Sequence, residues 1–368
     1  MHLESVRLIQ YKNYKQAQVS FSPQVNCFLG ENGSGKTNLL DAIFYLAFTK
    51  SADQALDMQC IFHNEDFFSI KGEFKVEEKK RVVLGAYQKG KKKQIKLDDK
   101  PYKKVSEHIG KFPTVLIAPN DTDVIRGASE DRRKFFDAII SQVDQGYLNN
   151  LIAYNHVLKQ RNSLLKQFAE QDRFDSDLLE PFTEKLVELG TKVHEVRSRF
   201  IESFKPLLME HYSKLSSEKE LIGIEYESDF AEGIEGKMQS SLKKDLILKR
   251  TNKGIHKDEF VFIMDDVPVK KFGSQGQQKS YLIALKLANF DFLKNQLGVK
   301  PILLLDDIFD KLDDQRIEKL MQMVASDAFG QIFVTDARPE RSISIFEKID
   351  QEHKYFTVSQ GVVEEISI

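Results

Sequence analysis

Eight residues, Gly30-Glu31-Asn32-Gly33-Ser34-Gly35-Lys36-Thr37, fit the pattern G-x-x-x-x-G-K-[ST]. They follow an apolar strand-like run, Val25 to Leu29, and open a helical run from Asn38 to Phe48, which is the context that pattern requires. Glycines at this spacing let backbone N–H groups wrap phosphates, and the N-terminal end of the helix favours the anion. Lys36 is expected to reach the β and γ phosphates and the Thr37 hydroxyl to ligate Mg²⁺. Such a loop needs a second metal ligand at the end of a neighbouring buried strand. Ile302-Leu303-Leu304-Leu305-Asp306-Asp307 supplies it, four apolar residues and then an acid. Taken alone, that acid is also a helix N-cap. Paired with the glycine-rich loop, Asp306 reads as the residue that holds Mg²⁺, directly or through water, and Asp307 as the one that polarises an attacking water. The chemistry is binding and hydrolysis of ATP with Mg²⁺.

A third segment discriminates among phosphate-loop proteins. Phe272-Gly273-Ser274-Gln275-Gly276-Gln277-Gln278 lies just before an amphipathic helix and ahead of Asp306, and it resembles the Ser-Gly-Gly-Gln core of the ABC signature. A Ser hydroxyl and Gly N–H at a helix N-terminus form an anion site. In the ABC architecture that site takes the γ-phosphate held by the other subunit, which gives Ser274 a role in catalysis across a dimer. Asp310-Lys311-Leu312-Asp313 follows the second motif at the spacing of a D-loop.

The elements that must position these residues are legible as patterns. Phe68 to Val76 and Arg81 to Tyr87 alternate as antiparallel strands do, and Lys89-Gly90-Lys91-Lys92-Lys93 reads as a turn whose lysines protrude at a hairpin tip. From Glu130 to Leu215 glycine and proline thin out and apolar residues recur at helical spacing, which predicts two or more long helices and a helical arm too short for an extended coiled coil. The strand pattern returns at Glu259 to Met264, a helix is expected from Gln277 to Lys294, and apolar strands follow at Pro301 to Leu305 and Gln331 to Thr335. Continuous apolar strands separated by helices point to a buried, largely parallel sheet. The expected fold is α/β. An ABC-type phosphate-loop ATPase lobe, with a mixed sheet and antiparallel hairpins, carries a mainly helical second lobe. The expected boundaries are 1–125 for the N-terminal half of the ATPase lobe, 126–250 for the helical arm lobe and 251–368 for the C-terminal half.

Composition bounds the rest. The 368 residues suffice for two or three domains, and a balance of 54 Lys and Arg against 56 Asp and Glu gives a net charge of −2, so no global charge argues for nucleic acid. The charge is nevertheless segregated: residues 71 to 111 hold 14 Lys and Arg against six acids, a local +8 that leaves −10 on the remainder. The tip lysines and the run Arg132-Arg133-Lys134 are the candidate DNA contacts; a solvated lysine run and salt bridges within the arm are the respective alternatives. Two cysteines, Cys27 and Cys60, are too few for a disulfide framework or a zinc site. Met1-His2-Leu3-Glu4-Ser5 begins no secretory signal and no apolar run reaches a membrane span, so a cytoplasmic location without a membrane partner is expected.

Taken in order, these blocks resemble the RecF family of DNA replication and repair proteins, relatives of SMC-type heads. The resemblance extends to Leu8-Ile9-Gln10-Tyr11-Lys12-Asn13-Tyr14, to Asn38-Leu39-Leu40-Asp41-Ala42-Ile43, to the block from Arg126 to Asp137, to Tyr154-Asn155 and on to Leu165, and to Gly254-Ile255-His256-Lys257-Asp258-Glu259. It implies an ATPase lobe that dimerises on ATP, and Asp307, where transporter ATPases commonly have the longer Glu, suits a slow, switch-like ATPase. It also implies binding to single- and double-stranded DNA at gaps, and work with the RecO and RecR mediators to load recombinase. Three features depart from the wider ABC and family patterns. Asn120 and Asp121 stand where transporter ATPases place a Gln, no switch His follows Val334-Thr335-Asp336, and Gly254 to Glu259 replaces Gly-Pro-His-Arg-Asp-Asp. The last block has two readings, DNA contact or structural support. The missing Gln and His weigh against a transporter-type ATPase subunit, and the short arm weighs against an SMC-like tether.

Overall fold

The computed structural model describes residues 1–53, 55–216, 220–308, 317, 319, 328–347 and 351–367, the side chain of Asn120 excepted. Asp310 to Asp313, read above as a D-loop, lie outside the described residues. The chain forms two compact units, 1–121 with 286–368, and 122–285.

The first unit holds two six-stranded sheets. One is antiparallel throughout, in the order β2-β1-β4-β5-β6-β7, from β1 (His2–Tyr11), β2 (Tyr14–Ser20), β4 (Phe67–Val76), β5 (Lys79–Gln88), β6 (Gln94–Leu97) and β7 (Lys100–Pro101). Its alternation is plain in β4, where Phe68, Ile70 and Phe74 are buried and Lys71 is exposed. The other runs β15-β14-β3-β13-β12-β8, from β3 (Val25–Leu29), β8 (Thr114–Ile117), β12 (Ile302–Leu305), β13 (Ile332–Asp336), β14 (His353–Ser359) and β15 (Val362–Ile366). All its pairs are parallel except β14 with β15. Strands covered on both faces read as near-continuous apolar runs, and every residue of β3, β12 and β13 is buried. Helix α1 (Lys36–Phe48) is seated by an edge-to-face cluster of Tyr45 with Tyr11 and Phe68.

The lysine turn differs from its expected form. Strands β4 and β5 turn at Glu77 and Glu78, and the run Lys89 to Lys93 joins β5 to β6 instead. Its members do not all protrude. Lys93 folds inward, its Nζ donating to the Thr49 carbonyl at 2.7 Å and pairing with Asp57 at 3.2 Å, while Lys89 pairs with Asp66.

The second unit contains α2 (Thr122–Arg126), α3 (Ser129–Val143), α4 (Gln145–Gln171), α5 (Ser176–Leu215), α6 (Ile234–Leu248), α7 (Val269–Phe272) and the start of α8 (Gln275–Leu297), with β9 (Ile222–Glu227), β10 (Glu259–Met264) and β11 (Val267–Pro268). Residues 251–285 therefore pack with the helical arm and not with the C-terminal ATPase half assigned to them above. The reason is pairing: β10 forms a six-residue antiparallel ladder with β9, and Phe136 of α3 joins Phe200 and Phe204 of α5 and Phe260 of β10 in one aromatic cluster.

Beside that cluster lies a buried ion network. Arg197 reaches Asp137 at 2.8 Å, Asp258 at 2.8 Å and the Ile255 carbonyl at 3.0 Å, and the Tyr226 hydroxyl donates to Asp258 at 2.6 Å. Burial works against the Arg197 charge, and Asp137 leads the groups that outweigh it, raising its pKa well above the ordinary value. Glu259 likewise accepts from Arg132 Nε at 2.7 Å, and the Asp258 carbonyl accepts from Arg133. Lys134 pairs with Glu130. Among the described residues, His256, Asp258 and Glu259 of the block and Arg132 and Arg133 of the run make internal bonds, while Lys257 and Lys134 stand exposed. Replacing Arg197 by Leu strands two carboxylates and is expected to cost about 3–5 kcal/mol. The urea midpoint of unfolding should fall accordingly; an unchanged midpoint refutes the network's structural role.

Candidate active site

The parallel sheet brings the phosphate-loop residues and both aspartates to the carboxyl ends of its strands, the usual place for a ligand in such a sheet. The loop leaves β3 at Gly30 and closes into α1 at Lys36. Gly35 has φ +117°, and a Cβ there would collide with the Asn13 side-chain amide, so only glycine fits. Asn13, from the turn between β1 and β2, and Tyr14, the first residue of β2, brace the loop. The Tyr14 hydroxyl donates to the Gly35 carbonyl at 2.9 Å and Asn13 Nδ2 to the Ser34 carbonyl at 3.2 Å. Beneath the loop, buried Asp41 of α1 accepts from Tyr11 at 2.5 Å, from the Ala52 N–H at 2.6 Å and from Lys12 at 2.7 Å, which fixes the helix that carries Lys36.

The Lys36 ammonium, itself buried, donates to the carbonyls of Gly30 at 2.8 Å and Glu31 at 3.0 Å, so it lies across the mouth of the loop. Glu31, Asn32 and Gly33 are exposed on the loop's outer side, where a cavity of about 490 Å³ opens between them and Thr357 to Gln360. Ser34 Oγ is buried and has no hydrogen-bond partner among the described residues.

Across from Lys36, β12 and β13 run parallel with Leu305 opposite Val334, which places Asp306 beside Thr335. Asp306 Oδ1 accepts from Thr37 Oγ1 at 2.9 Å and from Thr335 Oγ1 at 2.8 Å. Burial raises the Asp306 pKa, and the two hydroxyls oppose that rise. A hydroxyl and one carboxylate side by side are hard oxygen ligands of the kind Mg²⁺ takes together with substrate phosphates. Among the described residues no group of three or more His, Cys, Asp or Glu forms a metal cage. Thr37 and Asp306 therefore fit a magnesium ion shared with a nucleotide.

Asp307 is held differently. Its backbone is left-handed, φ +42°, its N–H donates to Thr335 Oγ1 at 2.8 Å, and its buried Oδ1 has no hydrogen-bond partner among the described residues. Buried polar atoms without donors and left-handed non-glycine backbone both gather at functional sites, which makes Asp307 a candidate for one. Thr335 was not singled out by sequence reasoning; aligning the ends of the two apolar strands would have found it. Asn13 was quoted only within a block, and a brace contributed by a distant turn leaves no local signal.

Asp121, at the position of the transporter Gln, is engaged elsewhere: it accepts from the Ala118 N–H at 2.6 Å and pairs with Lys286 at 2.7 Å. Ser274, in the second unit, caps α8, and its Oγ accepts from the Gln277 N–H at 3.2 Å. Its hydroxyl proton is left to donate.

A family model described as the RecF/RecN/SMC N terminal domain matches residues 2–364. The DNA replication and repair protein RecF of Cytophaga hutchinsonii is 46% identical over 366 residues, covering 99% of this chain and 97% of the relative. Its namesake from Flavobacterium johnsoniae is 47% identical over 359 residues, covering 97% and 100%. Among solved structures, the recombination mediator protein RecF with ATP in the RecFOR pathway superposes with a TM-score of 0.90 at 29% identity, over 100% of this chain and 98% of that one. An SMC head bound to the C-winged helix domain of ScpA shares the fold, with a TM-score of 0.57 at 17% identity over 100% of this chain and 98% of the other.

Proposed function

The chain belongs to the RecF family of DNA replication and repair proteins, and on that premise we propose that it is an ATP-dependent DNA-binding protein of recombinational repair and replication restart. In this reading it dimerises on ATP at gapped DNA and helps the RecR and RecO mediators load recombinase. The observation that carries the reading is the meeting of Lys36, Thr37, Asp306 and Asp307 at one end of the parallel sheet.

Lys36 turns from the loop carbonyls to the β and γ phosphates, and the loop N–H groups wrap them. Thr37 and Asp306 hold Mg²⁺, which when bound neutralises phosphate charge. Asp307 accepts a hydrogen bond from the attacking water with its otherwise unpartnered Oδ1. Its side chain is one methylene shorter than the glutamate common in transporter ATPases, which suits slow turnover and a nucleotide used as a switch. Ser274 donates to the γ-phosphate held by the second protomer, so the dimer forms only when ATP is present. Sedimentation and binding to gapped and blunt DNA, measured on one preparation with ATP and with ADP, test this. ATP alone should produce the dimer and the preference for gapped DNA; a protomer that binds both DNAs equally in either nucleotide contradicts it.

For the DNA contacts, the structure narrows the lysine tip. Lys89 and Lys93 hold acids, while Lys91 and Lys92 are exposed and no side-chain bond of either is described. Replacing Lys91 and Lys92 by Gln should reduce the slope of log affinity against log salt by about 1.8 per subunit, at roughly 0.9 per phosphate contact. An unaltered slope moves DNA binding to another surface.

A further inference from the structure

The end of α8 that presents Ser274 is closed by a reciprocal pair. The Ser274 N–H donates to Gln277 Oε1 at 2.7 Å, and the Gln277 N–H donates to Ser274 Oγ at 3.2 Å. This is a capping box with glutamine at the third helical position. Only one orientation of the Gln277 amide serves it, and a second group selects that orientation. Gln277 Nε2 donates to Glu220 Oε1 at 2.5 Å, while Glu220 Oε2 accepts from the Tyr212 hydroxyl. Tyr212 is buried on α5, with its ring 6.1 Å from that of Tyr281 on α8. A continuous chain of hydrogen bonds thus links Tyr212, Glu220, Gln277 and the backbone of Ser274, with the Glu220 carboxylate accepting from both of its neighbours.

A carboxylate beside a helix N-terminus that must accept phosphate is an odd choice unless its charge is already committed. Here both oxygens are engaged, one by an amide and one by a buried phenol. We propose that Glu220 is a positioning residue for the signature loop: it fixes the Gln277 amide, which fixes the cap, which directs the Ser274 hydroxyl toward the γ-phosphate of a second copy of this chain. The proposal rests on the composite-site reading above and assigns it a residue outside the signature motif. Without Glu220 the amide is free to rotate, and the Ser274 N–H loses its only described acceptor. The loop then must be ordered at the moment of dimerisation, which weakens association without touching the protomer's own phosphate loop.

Charge swapping separates positioning from mere packing. In Gln277→Glu two carboxylates face each other; in the double variant Glu220→Gln with Gln277→Glu the amide and the carboxylate exchange places, the bond re-forms, and glutamate still caps Ser274. ATP affinity is measured by calorimetry on the full chain at concentrations where it is a protomer, and ATP-driven dimerisation by sedimentation. Glu220→Ala and Gln277→Glu should weaken dimerisation by about tenfold per site, the weight of one hydrogen bond to a charged group, with ATP affinity unchanged. The double variant should recover most of that loss. Wild-type dimerisation by Glu220→Ala, or a double variant no better than Gln277→Glu, overturns the proposal. If Ser274→Arg itself dimerises normally, the composite site falls instead, whatever Glu220 does.

Discussion

Lys36→Met should give a folded protein that neither retains ATP nor assembles on it. Methionine keeps the length and burial of the stem, so the helix behind the loop, held by Asp41, Tyr11 and Lys12, is preserved. The ammonium now shared between the Gly30 and Glu31 carbonyls is lost, and with it the charge placed to meet the β and γ phosphates. Two charge-assisted hydrogen bonds at about 1.5–3 kcal/mol each amount to a loss of affinity on the order of 10²- to 10⁴-fold. Calorimetry with ATP reads that loss directly, and fluorescence anisotropy with gapped DNA should show that ATP no longer enhances retention. Normal ATP-dependent DNA binding by this variant sinks the nucleotide switch.

Asp307→Asn should do the reverse, trapping the assembled state. Asparagine tolerates the left-handed backbone at this position and keeps the N–H bond to Thr335, so the loop after β12 holds its shape. Nucleotide and Mg²⁺ sites at Lys36, Thr37 and Asp306 are untouched. A neutral amide is a poor base, and losing a positioned general base typically costs about 10²- to 10⁴-fold in rate. Hydrolysis slows and the ATP dimer accumulates in sedimentation. Unchanged turnover moves the catalytic role to another group; a protomer with ATP bound contradicts the link between ATP and assembly.

The site was largely legible because its parts are local. A glycine-rich loop between a buried strand and a helix, and an acid ending an apolar strand, are readable from neighbours in sequence, and the structure brings Thr37 and Asp306 to 2.9 Å. What escaped depends on partners far along the chain. Thr335 matters only because β13 lies in register with β12, and Asn13 only because the β1–β2 turn reaches the loop. Asp121 is drawn away by Lys286, 165 positions on, which no spacing rule reports. The division into compact units also depends on distant partners. Residues 251–285 follow the arm in sequence and carry the strand β10, which finds its partner in β9 and not in the parallel sheet. Charge counting located the basic region between β4 and β7 but not the fate of each lysine, since Lys93 is folded against Thr49 and Asp57.

In the proposed switch one protomer binds ATP and the other completes the site. Ser274→Arg tests it in one sample, because the altered residue caps α8 in a unit that does not contain the phosphate loop. Arginine removes the hydroxyl donor and fills the space a second subunit's γ-phosphate needs. Sedimentation velocity with ATP absorbance recorded alongside protein reports both mass and bound nucleotide. The expected result is a protomer carrying ATP with unaltered affinity and no dimer at concentrations where the unaltered protein is assembled. A dimer of normal stability, or a protomer that has lost its ATP, contradicts the shared site.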